Sequence, residues 1–287
     1  MRIMETTVPD LDGWPCRSPR QTTGILLGLS LLLAGCGRSV IQDGAPDRQV
    51  DVSGIPDAVP RVEPRSRYGN PESYVVRGRR YYVMRSSRGY VERGIASWYG
   101  TKFHGRRTSS GEPYDMYKMT AAHKTLPLPT YVRVTNLENG RSVVVKVNDR
   151  GPFHENRLID LSWAAAAKLG ILGKGTGLVE VRAIDPRHPE PRTLHASSSK
   201  DDRDSAGSRA TVKPRLFLQV GAFASRANAE RLLRRLGLEQ AFIVPGYSRQ
   251  RRIYRVRIGP LPSVEQADAL ARRLDARGIR DPHVVID

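Results

Sequence analysis

The sequence predicts two small folded segments in series: a strand-rich closed barrel, then an α+β unit of one antiparallel sheet and two helices. Three observations carry this. Strand-like runs broken by turn signals crowd residues 73–185, with one short helix among them. Residues 214–287 carry an internal strand–helix repeat. Before and between these segments lie stretches rich in Pro, Gly, Asp, Arg and Ser that keep no hydrophobic period.

The elements follow in chain order. An apolar run from Thr23 to Ala34 is too short for a comfortable membrane span and suits a signal-peptide core, with Arg17 and Arg20 as its positive flank. Leu33-Ala34-Gly35-Cys36 follows and resembles a bacterial lipobox, in which small side chains flank the cut and a lipid is attached to the Cys36 sulfur. The chain has two cysteines, Cys16 and Cys36, so cleavage before Cys36 leaves one thiol with no disulfide partner and no metal cluster. A lone thiol in an oxidising compartment is a liability unless blocked, and acylation blocks it. An ordinary cleaved signal or an uncleaved anchor is the competing reading. Residues 1–35 are thus expected as a signal peptide and 36–72 as a flexible tether with a random-coil reach of roughly 30–40 Å.

In 73–185, Ser73 to Val76 and Arg79 to Met84 read as a hairpin turning at Arg77-Gly78. Ile95 to Tyr99, Thr130 to Thr135 and Ser142 to Asn148 read as strands, with Asn139-Gly140 a strong turn signal between the last two. Asp160-Leu161-Ser162 caps a short helix over Trp163 to Lys168, ended by Gly170, and Val179 to Ile184 is a final strand. A linker is expected over 186–213. In 214–287, strands at Phe217 to Phe223 and Tyr254 to Pro260 each precede an amphipathic helix. Ala229, Leu232, Leu233 and Leu236 share one helical face; Ala267, Leu270, Ala271 and Leu274 share the other. Phe242 to Val244 and His283 to Ile286 complete the halves, giving a βαββαβ order with one sheet face free to bind.

The formal net charge of +18 fits an acidic partner (nucleic acid, anionic lipid or an acidic cell wall) or simply a solvated basic surface. Export argues against nucleic acid. The densest run of polar residues lies between Ser97 and Asp160. Glycosidic cleavage needs an acid for the leaving oxygen and a group that stabilises an oxocarbenium-like centre. Glu112, Asp149 and His123 supply candidates. Asp149 sits where a strand breaks at Gly151-Pro152, which can bring a carboxyl to a cleft mouth, partly desolvated and with a raised pKa. On spacing alone, Asp149 reads rather as a turn aspartate capping amides; Glu112 has a similar reading as an exposed loop carboxylate, and His123 as the filler of a half-buried slot. A metal set of His104, His123 and Asp149 lacks any specific ligand spacing, and no phosphate-cradling loop or GxSxG motif is present, so no cofactor is expected.

The runs Gly94 to Gly100, Thr108 to Asp115, Thr120 to His123, Val132 to Leu137, Asn148 to Phe153 and Arg157 to Ser162 together resemble the rare lipoprotein A family, and 214–287 resembles a SPOR domain. The resemblance implies a six-stranded double-psi β-barrel at 73–185 and lytic transglycosylase activity on the β-1,4 bond between N-acetylmuramic acid and N-acetylglucosamine, leaving 1,6-anhydro ends. It implies Asp149 as the acid/base, Glu112 as a stabilising or orienting carboxylate, and His123 as a holder of a carboxyl or sugar hydroxyl. Trp98, Tyr99 and Arg150 are expected to contact substrate in the barrel, and Gln219, Tyr254 and Arg255 on the SPOR sheet. Implied partners are glycan strands stripped of stem peptides at the division septum, the membrane through the lipid on Cys36, and septal division proteins around a monomer. Gly37 is not aspartate, the inner-membrane retention signal, so the inner leaflet of the outer membrane is the expected home. A scaffold lipoprotein that grips glycan without cutting it is the alternative.

Overall fold

The computed structural model describes residues 43–48, 50–154, 156–188, 214–248, 250–279 and 281–287. The apolar run, Cys36 and most of the expected linker lie outside that set. Strands β1 (Ser73–Val76) and β2 (Arg79–Tyr82) form the expected hairpin. Both turn residues, Arg77 and Gly78, take positive φ (50° and 77°), which matches the twist of paired strands. This hairpin pairs with itself and stands outside the barrel.

The barrel is built from β3 (Val91–Tyr99), β4 (Thr120–His123), β5 (Thr130–Asn136), β6 (Ser142–Asp149), β7 (Arg157–Ser162) and β8 (Gly177–Ala183), closed in the order β3-β7-β4-β6-β5-β8. Pairs β3–β7 and β4–β6 are parallel; the rest are antiparallel. Parallel neighbours cannot be joined by a tight hairpin, so the chain makes long excursions, and residues 100–119 form the longest. Alternation fills the interior: Val132 and Val134 on β5, and Val143, Val145 and Val147 on β6, are each at most 2% exposed. Each buried valine contributes about 1.5–3 kcal/mol. Helix α1 (Trp163–Leu169) begins as expected, with Ser162 Oγ accepting from Ala165 N at 3.2 Å, and ends at Gly170 with φ 77°.

The stretch 57–70 departs from expectation. It is laid along the barrel rather than free. Ala58 N donates to Val144 O at 3.0 Å, and Val144 N donates to Asp57 Oδ2 at 3.0 Å. Strand β4 covers β6 only from Lys146 onward, so Asp57-Ala58 satisfies the backbone that β4 leaves open. Lys168 pairs with Asp57 at 2.9 Å and Lys146 with Glu63 at 3.1 Å. Pro56, Pro60 and Pro64 stiffen this strap, so it loses little entropy on docking. Backbone pairing and ion pairs hold it, which is why a search for hydrophobic period passes over it.

The second segment has β9 (Leu216–Phe223), α2 (Arg226–Leu236), β10 (Ala241–Ser248), β11 (Arg251–Leu261), α3 (Val264–Ala276) and β12 (His283–Ile286). Its antiparallel sheet runs β10-β11-β9-β12. Leu218, Val256 and Ile258 pack with Ala229, Ala267 and Leu274 of the helices. This cluster continues into Ile95 and Leu178 on the barrel wall. Asp268 on α3, 7% exposed, accepts from Asn156 Nδ2 at 2.9 Å and Arg157 Nη2 at 3.4 Å. The second segment therefore rests on the barrel, although a linker was expected between them.

Candidate active site

Asp149 ends β6, and the next residues turn away through Arg150 and Gly151. Loop residues 108–112 come up beside it. Ser109 donates to Asp149 Oδ1 from its amide at 2.7 Å and its hydroxyl at 2.6 Å, and Arg150 N donates to the same oxygen at 2.7 Å. Among the described residues, Oδ2 takes no hydrogen bond. Ser110 N donates to Asn148 O at 3.1 Å, so the loop is sewn to the strand end on both sides of Asp149. Gly111, with φ 94°, lets the loop turn tightly back.

Glu112 closes that loop. Its Oε1 accepts from Lys146 Nζ at 2.7 Å and its Oε2 from Asn148 Nδ2 at 2.8 Å. Burial pushes the Glu112 carboxyl up, but the bonds from Lys146 and Asn148 outweigh it and lower its pKa. Lys146 is shared with Glu63 of the strap, whose carboxyl also accepts from the Tyr131 hydroxyl. Burial opposes the charge on Lys146 as well, yet the hydrogen bonds to Glu112 and Glu63 raise it. Both candidate carboxylates thus hang on one pair of segments, the 108–112 loop and the end of β6.

His123 is placed one strand over, on β4, but its ring is not available to substrate. It is 2% exposed. Nδ1 accepts from Thr125 N at 3.2 Å and Leu126 N at 3.0 Å, which makes Nε2 the protonated nitrogen facing the Tyr90 hydroxyl at 2.9 Å. Burial, with Lys124 and Arg150 nearby, pushes its pKa down to about 3. The ring is therefore neutral and bonded to no carboxyl, which corrects the expectation that it holds a carboxyl or sugar hydroxyl.

Arg150 and Tyr99 also depart from their expected contacts. The Arg150 guanidinium is spent on the protein: Nε donates to Gly69 O at 2.8 Å, and Nη1 to His123 O at 3.0 Å and Leu126 O at 2.6 Å. Tyr99 is 7% exposed and stacked on Tyr114 at 4.1 Å, a core position. Trp98 is half-buried against the barrel core. The side chains weighed as a metal set do not meet, since His104 Nδ1 instead accepts from Met116 N at 3.2 Å.

On the second segment, Tyr254 and Arg255 are neighbours in β11 and point to opposite faces. Tyr254 packs on the helix side with Val256 and Ile258. Arg255 shares the other face with Arg257 and, across β9, with Gln219, which is 8% exposed. The expected trio therefore does not form one surface. Sequence reasoning also passed over Ser109, Lys146, Asn148 and Glu63. The first three lie in or beside the quoted motifs; Glu63 offered no signal.

Residues 91–182 match the family model described as lytic transglycolase, and 213–285 match the SPOR domain model. The chain is 42% identical over 289 aligned positions to "Endolytic peptidoglycan transglycosylase RlpA" of Pseudomonas aeruginosa (strain UCBPP-PA14), covering 85% of this chain and 84% of that protein. It is 51% identical over 177 positions to the protein of the same name from Vibrio cholerae, covering 59% and 67%. Among solved structures, the RlpA SPOR domain from Pseudomonas aeruginosa aligns at 32% identity over 24% of this chain and 96% of that chain, with a TM-score of 0.24.

Proposed function

The chain belongs to the RlpA family of endolytic peptidoglycan transglycosylases, and on that premise we propose that it cuts peptidoglycan glycan strands by intramolecular transfer, leaving 1,6-anhydro ends. Asp149 gives a proton to the N-acetylglucosamine oxygen as the bond from the muramic anomeric carbon breaks. The muramic 6-hydroxyl then bonds that carbon and returns its proton to Asp149. Atoms and charge balance without water, so one acid/base serves both steps. The observation that carries this is the one-sided bonding of Asp149. Three donors fix Oδ1 and leave Oδ2 to exchange the proton.

Glu112, held ionised by Lys146 and Asn148, supplies negative charge against the oxocarbenium-like centre. His123 and Arg150 are positioning residues: the His123 carbonyl accepts from Arg150, and the amide of Arg150 braces Asp149.

The SPOR match supports a preference for strands lacking stem peptides and enrichment at the division septum. The lipobox-like run supports anchoring through Cys36, and Gly37 after it supports the inner leaflet of the outer membrane.

The test incubates the chain, without residues 1–35, with purified peptidoglycan that keeps or lacks stem peptides, and counts 1,6-anhydro ends by mass spectrometry. Wild-type product and none from Asp149→Asn is the expected result. Equal yields from the two would sink the mechanism. Glycan binding with no cutting by either would leave a scaffold lipoprotein.

A further inference from the structure

We propose that the strap, residues 57–70, is a second wall of the glycan groove, and that Tyr68 on it is the platform on which a saccharide ring stacks. This rests on the transglycosylase reading and deepens it. It adds an aromatic subsite outside residues 91–182, which match the lytic transglycolase model.

Proximity comes first. A Cβ added at Gly69 would lie 2.6 Å from Ser109 O, so the strap backbone rests directly on the residue that holds Asp149. A Cβ added at Gly111 would lie 3.3 Å from Cδ2 of Tyr68. The Tyr68 ring thus borders Gly111, in the loop that runs from Ser109 to Glu112. Rigidity comes second. Gly69 O accepts from Arg150 Nε at 2.8 Å, Ser66 N donates to Leu128 O at 2.9 Å, and Asn70 Oδ1 accepts from Leu128 N at 2.8 Å. Both residues flanking the 67–68 pair are therefore fastened to the barrel.

Exposure comes third. Tyr68 is 56% exposed although its backbone is pinned on either side. The one cation near its ring is Arg67 of the strap itself among the described residues, 5.6 Å from the centroid. An aryl face is electron-rich, and the axial C–H bonds on one side of a pyranose are its complement. A pinned, exposed tyrosine beside the loop that carries Ser109 and Glu112 suits a neutral sugar ring, and its ring loses little conformational entropy on binding.

The test has two arms, both on the full chain. Tyr68→Ala is expected to raise KM on glycan strands about tenfold with kcat within twofold and an unchanged melting temperature, while Tyr68→Trp keeps the wild-type KM. An unchanged KM in Tyr68→Ala overturns the proposal; so does faster turnover, which would make the strap a plug. The second arm adds a non-cleaved probe: purified glycan strands titrated into Asp149→Asn/Tyr68→Trp, with Asp149→Asn as the blank. A glycan-dependent change in the extra tryptophan emission supports the platform, and no change overturns it. If the wild type cuts no strand yet this emission responds, the transglycosylase reading fails while the platform stands. If Tyr68→Ala melts early, the tryptophan arm alone decides.

Discussion

Ser109 and Asp149 are joined twice, the amide and the hydroxyl of the serine both donating to one carboxylate oxygen at 2.7 and 2.6 Å. The pairing orients the carboxyl and leaves its other oxygen without a hydrogen bond among the described residues. Ser109→Ala removes the hydroxyl donor and keeps the amide. We expect kcat to fall about tenfold with KM little changed, and stability to drop by about 1 kcal/mol. Steady-state kinetics on glycan strands and urea unfolding check both.

Lys146 lies between Glu112 and Glu63 and lowers the pKa of both. Removing it as Lys146→Met takes away the bond that keeps Glu112 ionised, so the Glu112 pKa rises. The sign is fixed by the mechanism: an enzyme that needs the carboxylate loses activity as pH falls through that pKa. The acid limb of the pH–rate profile should therefore move to higher pH in Lys146→Met, and Lys146→Arg should move it back toward wild type.

His123 is buried neutral, with its pKa pushed down to about 3 from an ordinary 6.5. Between those values the unfolded chain binds a proton there that the native chain does not, so folding stability is full above 6.5 and falls as pH drops. The slope from this residue is about 1.4 kcal/mol per pH unit within that window. Urea unfolding at pH 7, 6, 5 and 4 should show it, and His123→Gln should be flatter by about one proton. An equally steep variant would refute the assignment.

Asp268 ties the second segment to the barrel through Asn156 and Arg157. Asp268→Ala leaves both donors without that acceptor, at a cost of about 1–3 kcal/mol. Calorimetry is expected to show the single wild-type transition separating into two, and small-angle scattering a larger radius of gyration.

Several elements were legible because their signals are local. The Asn139-Gly140 turn forms with Gly140 at φ 73°. Ser162 and Gly170 cap α1 where the residue types place them. The valines of β5 and β6 alternate, and the matching helical faces around Ala229 and Ala267 pack as paired. Strands β4 and β7 were not legible. β4 is four residues long, and β7 pairs in parallel with β3, a distant stretch of chain, so neither carries a hairpin signal. At the site, turn position and residue type made Asp149 and Glu112 candidates and left a turn cap and a loop carboxylate open; only the family resemblance gave them roles. Tyr99, Arg150 and the His123 ring could not be placed, because the same residue types serve a core stack, a loop clamp or a sugar contact. The grouping of Tyr254 with Arg255 ignored a local rule, since adjacent strand residues face opposite ways.

The sequence by itself determined the two-segment order, the barrel and sheet classes, and the loop and strand end that carry the carboxylates. These follow from periodicity, turn chemistry and motif order, which act within a few residues. Tertiary structure alone decided that Ser109 holds Asp149, that Lys146 bridges Glu112 to Glu63, and that the strap lies against the barrel. Each depends on residues some 34 to 83 positions apart meeting at hydrogen-bond distance. Chain closure in a barrel with parallel pairs brings them together, and no local pattern encodes that closure.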